Sequence, residues 1–164
     1  MNNLLDNFGT NCFSEKNLKN RVPDYVVKKF LEIKNGKTEL TLEIADIIAN
    51  AIKMWALEKG ATHYTHWFQP LTELTAEKHE SFISINSDGT SMAKFSGKDL
   101  MKGESDTSSF PNGGLRSTFE ARGYTAWDIS SPMFLKGEEG SKTLYIPTAF
   151  IAYNGEALDK KVPL

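Results

Sequence analysis

Thr41-Leu42-Glu43-Ile44-Ala45-Asp46-Ile47-Ile48-Ala49-Asn50-Ala51-Ile52-Lys53-Met54-Trp55-Ala56-Leu57-Glu58-Lys59-Gly60, running straight on into Ala61-Thr62-His63-Tyr64-Thr65-His66-Trp67-Phe68-Gln69-Pro70, decides the fold class. In the first half Ile44, Ile47, Ile48, Ala51, Ile52 and Trp55 recur at three-four spacing, the signature of a helix with one apolar face. Thr41 stands where an N-cap belongs, and Gly60 after Lys59 ends the segment. Past Gly60 the period changes. Thr62 to Phe68 is rich in β-branched and aromatic residues and stops at Pro70, which predicts a strand.

Upstream, Pro23 suits a first helical position, with Asp24 near the positive end of the helix dipole. Val26, Val27, Phe30 and Leu31 share one face, and Gly36 closes that helix. A short helical turn is expected over Glu15 to Lys19 behind Ser14. Downstream, Ser81 to Ile85 and Met92 to Phe95 read as strands joined by a hairpin at Asp88-Gly89. Lys98 to Lys102 fits either a strand or a helical turn. Phe119 begins a short helix ending at Gly123, and Thr125 to Asp128 is short and extended. Thr143 to Tyr153 is a long β-rich run in which Pro147 implies an edge position or a bulge. Helices come first and strands later, without βαβ alternation, so the expected class is α+β.

Composition narrows the function classes. At 164 residues the chain can bury a core without staples. Hydrophobic residues make up 40% and charged residues 24%, as in ordinary globular domains. A formal net charge of −2 gives no electrostatic footprint for nucleic acid. No stretch approaches the ~20 apolar residues of a membrane span. The start, Met1 to Phe8, lacks the basic and apolar regions of a signal peptide. Cys12 is the single cysteine, which suits a reducing cytoplasm, and reads as a small packed residue rather than a nucleophile.

The stretch 103–116, Gly103-Glu104-Ser105-Asp106-Thr107-Ser108-Ser109-Phe110-Pro111-Asn112-Gly113-Gly114-Leu115-Arg116, is too polar for a core strand and too rich in glycine for a helix. Pro111-Asn112-Gly113-Gly114 is turn chemistry. A long polar loop inside a compact domain either binds something or is a plain surface connection. Asp106 to Gly114 resembles the Asp-Gly-Ser-Ser…Gly-Gly loop of glutamine synthetases, and the longer run Gly103 to Asp128 resembles the N-terminal part of the large type III class. Asn20-Arg21-Val22-Pro23, Thr62 to Pro70 and Tyr145 to Phe150 agree with that class in order, and the likeness runs from about Cys12 to Leu164. Members of the class are several times longer, so the chain is expected to stop where their catalytic domain begins.

The resemblance implies an architecture: a helical N-terminal extension over 1–61, a small, twisted, mostly antiparallel β-grasp-like sheet over 62–153 carrying the loop 103–116, and a passage toward a catalytic domain over 154–164. It implies that Asp106 helps bind ammonium and remove its proton, with Ser108 and Ser109 as supporting loop residues, in a site built mainly by the neighbouring subunit of a homo-oligomeric ring. An ionised carboxylate near a reacting nitrogen suits that role, because it attracts a small cation and can serve as general base. Read from the residues alone, Asp106 caps a turn. Asp88-Gly89-Thr90-Ser91 echoes the same motif, but Gly113-Gly114 follows Asp106 at the family's spacing and Asp88 sits where a hairpin needs Asp-Gly.

The remaining candidates read as structural. His63 and His66 on a strand point to opposite faces and have no further ligands at metal-site spacing. Arg116 and Arg122 flank Phe119 and Glu120 and suit salt bridges toward a neighbouring subunit. No phosphate-cradling Gly-x-x-x-x-Gly-Lys motif is present. The chain is therefore expected to hold no cofactor or metal of its own. ATP and Mg2+ belong, by resemblance, to the full-length enzyme that ligates ammonia to glutamate. The 164 residues alone are expected to be inactive. The competing reading is a non-catalytic, β-grasp-like assembly module docking onto a synthetase ring.

Overall fold

The computed structural model describes residues 8–71, 74–103 and 123–152. Among the described residues three helices come first. α1 (Glu15–Lys19) is capped by Ser14, whose side chain accepts the Asn17 N–H at 3.3 Å. α2 (Asp24–Lys34) starts one residue later than expected, with Pro23 as its N-cap. α3 (Leu42–Glu58) is capped by Thr41, whose Oγ1 accepts the Ile44 N–H at 3.4 Å. It ends at Gly60, which takes a φ of +82°. A Cβ there would also lie 3.2 Å from the backbone nitrogen of Gly140, so glycine is required twice over.

The strands follow: β1 (Ala61–Leu71), β2 (Leu74–Ser81), β3 (Ile83–Ile85) and β4 (Ser91–Ala93), then α4 (Gly97–Met101), β5 (Lys102–Gly103), β6 (Gly123–Trp127), β7 (Phe134–Lys136) and β8 (Lys142–Ala152). The main sheet has the order β2-β1-β8-β6-β5, with β7 also paired to β8, and β3 and β4 form a separate hairpin. The α+β class is as expected. The sheet is mixed: β1 and β8 run parallel at its centre, and the pairings around them are antiparallel.

One apolar core joins helices and sheet. The expected stripe of α3 supplies Ile48, Ile52 and Trp55, α1 and α2 supply Leu18 and Val26, and the sheet supplies Tyr64, Leu144 and Ile146. Ile47, counted in the same stripe, sits at the rim and is only partly buried. Below them Tyr64, Phe82 and Phe95 form an aromatic cluster with ring centroids 4.8–5.5 Å apart. Phe82 is the pivot between β2 and β3. Its N–H reaches the Thr62 carbonyl at 3.0 Å, and its carbonyl accepts the Lys94 N–H at 2.7 Å.

Two expectations are corrected, and the stretch left open between strand and helical turn is resolved. The strand expected over Ser81 to Ile85 is divided at Phe82: Ser81 ends β2 in the main sheet, and Ile83–Ile85 belongs to the hairpin. The Lys98 to Lys102 stretch is mostly helical, because Ser96 and Asp99 form a capping box: the Ser96 N–H and Oγ–H both reach Asp99 Oδ2 at 2.7 Å, and the Asp99 N–H reaches Ser96 Oγ at 3.3 Å. Pro147 is neither at an edge nor bulged. It lies in β8 opposite Trp67, with β8 between β1 and β6. Its carbonyl accepts the Asp128 N–H at 2.9 Å, so its nitrogen faces the same side of the strand. On that side β7 pairs with 143–145 and β6 with 148–152, so the missing donor falls at the handover between two strands.

Candidate functional site

The loop that the sequence singles out is tied to the sheet at both ends. β5 and β6 pair antiparallel, with Lys102 opposite Ala126 and Gly103 opposite Thr125. β6 in turn lies on β8. The chain thus leaves the sheet edge at Gly103 and re-enters it beside the same point at Gly123. Residues 104–122 lie outside the described residues, and with them Asp106, Ser108, Ser109, Arg116, Arg122 and the short helix expected at Phe119.

The exit of the loop is held by contacts that sequence reasoning missed. α4, directly before β5, is pinned to α3 by Asp46, whose Oδ1 accepts the Gly97 N–H at 2.7 Å. Leu100 is fully buried, and its carbonyl accepts the Nε2–H of His66 on β1 at 3.2 Å. The signal was present in Ser96-Gly97-Lys98-Asp99, which has capping-box spacing. Asp46 carries no such mark, because its partner lies 51 positions away.

At the return end, Asp128 follows β6. Its carboxylate accepts bonds from Ser130 and Ser131, and these fix the turn leading to β7.

The two histidines fall on opposite faces, as expected. His63 is exposed, and its Nδ1 is 2.8 Å from Thr62 Oγ1. His66 is buried. Desolvation holds its imidazole below the usual histidine range, against the opposing pull of the Leu100 carbonyl and the carboxylates of Glu80 and Asp99. Among the described residues no group of three or more His, Cys, Asp or Glu is placed to hold a metal ion.

Asp88 has a complete local explanation. Its Oδ1 accepts the Thr90 N–H at 2.9 Å and the Thr90 hydroxyl at 2.6 Å, while Gly89 takes φ +84° in the hairpin turn. Those bonds hold its carboxyl below the usual aspartate range. Cys12 is half-buried and bridges to Phe134. No helix among the described residues is long and apolar enough to cross a membrane.

Residues 4–164 match the family model for the N-terminal region of type III glutamine synthetases. The chain belongs to that family. This type III N-terminal region is 51% identical over 163 residues to a glutamine synthetase of Bacteroides fragilis (strain YCH46), covering 99% of this chain and 22% of that protein. It is 49% identical over 162 residues to the type-3 glutamine synthetase of Dictyostelium discoideum, covering 98% and 22%. A glutamine synthetase of Butyrivibrio fibrisolvens is 29% identical over 158 residues, covering 96% and 22%. The chain therefore spans about a fifth of the length of the curated relatives it matches.

Proposed function

We propose that this chain acts as the N-terminal part of a glutamine synthetase, an ATP-dependent ligase of ammonia and glutamate, and that it supplies the ammonium-site loop and subunit contacts. The observation that carries this reading is the family match over residues 4–164, nearly the whole chain, against about a fifth of each relative. In this reading Asp106 attracts ammonium with its ionised carboxylate and takes one proton from it, leaving ammonia with a free lone pair to attack. Ser108 and Ser109 support the loop. The paired strands at Gly103 and Gly123 support this, because they hold both ends of the loop at one sheet edge.

The described residues offer no carboxylate or histidine cluster for a metal, so no metal-borne step is assigned to them. ATP and Mg2+ are bound, in this reading, by the part of the full-length enzyme outside this chain. The layout is a helical extension over 1–61, a β-grasp-like unit over 62–153 and a passage over 154–164, with the first two sharing one core. The enzyme works in the cytoplasm as a homo-oligomeric ring. Ile83 and Ile85, on one face of the β3–β4 hairpin, are 50% and 78% exposed, which supports a subunit contact there.

The test is steady-state turnover against ammonium in the full-length enzyme. Asp106→Asn lowers turnover by about 10²–10⁴-fold if the carboxylate is the base. Asp88→Asn leaves it near normal. Wild-type turnover in Asp106→Asn, or a larger loss in Asp88→Asn, overturns the choice of Asp106, and near-normal turnover in both variants favours the non-catalytic assembly module.

A further inference from the structure

We draw no further inference here: the strongest candidate, the apolar cleft between α1, α2, α3 and the turn that joins β6 to β7, has nothing in the structure to show what occupies it.

Discussion

Asp46, a third of the way along α3, accepts a hydrogen bond from the backbone N–H of Gly97 at 2.7 Å, across 51 positions of sequence. The contact is close because residue 97 has no side chain. A Cβ there would lie 2.7 Å from the Asp46 backbone nitrogen and 2.9 Å from the Ala45 carbonyl carbon. Those atoms belong to a helix and have little room to give way. Gly97→Ala therefore pushes α4 off α3 and costs about 1–3 kcal/mol, as overpacking does elsewhere. A urea unfolding curve is expected to show a lowered midpoint with an unchanged slope, and an unchanged midpoint contradicts this account.

His66 makes stability depend on pH. Burial lowers its folded-state pKa below the usual value of 6.5, so the unfolded chain binds the proton more tightly. The stabilisation from the neutral ring is complete above pH 6.5. It declines as pH falls below 6.5 and stops declining once the folded-state pKa is reached. Unfolding midpoints measured from pH 7.5 down to 5 are expected to drop in the wild type. The drop is expected to be shallower in His66→Gln. Parallel curves for the two proteins count against this.

Asp88 has the opposite partners and a different window. Hydrogen bonds from Thr90 hold its folded-state carboxyl below the usual value of 3.8. Their contribution is present above pH 3.8 and is lost as pH falls through the folded-state pKa. Asp88→Asn is expected to lower the melting temperature slightly at neutral pH. The difference from wild type disappears in strong acid. A difference that persists unchanged at pH 2 shows that the charge is not what the turn uses.

The hairpin offers a test of assembly. Ile83 and Ile85 share a face and are largely exposed, and a lone two-stranded hairpin gains little stability in water. Ile83→Ser combined with Ile85→Ser is expected to leave the melting temperature of the 164-residue chain nearly unchanged. It is expected to weaken association of the full-length enzyme in sedimentation velocity. An undisturbed oligomer assigns the subunit contact to another surface.

The sequence reported local order well and distant partners poorly. α3 was readable because its stripe, its Thr41 cap and its Gly60 stop all agree. The hairpin was readable because Asp88-Gly89 is specific turn chemistry. β2 was invisible. Glu77, His79 and Glu80 give it no apolar alternation, because charged residues are what an edge strand carries to avoid pairing with another chain. Pro147 misled because a proline shows that a donor is missing without showing which side of the strand lacks it. Of the candidate site, the turn role of Asp88 was legible. The Asp46–Gly97 and His66–Leu100 bonds that hold the loop's exit were not, since neither pair shares a local pattern.

The parallel pairing of β1 with β8 also sets an order of events during synthesis. The Thr148 hydroxyl donates to the Trp67 carbonyl at 3.0 Å, across 81 positions, so the centre of the sheet closes only when nearly all of the fold has been made. On the ribosome α1 to α3 emerge well before Leu144 and Ile146, which cover their apolar faces. During that interval a nascent chain presents uncovered helices and an unpaired inner edge of β1, the kind of surface that chaperones bind and that aggregates when they are scarce. Synonymous changes that slow translation between codons 72 and 141 lengthen this exposure without altering a single residue.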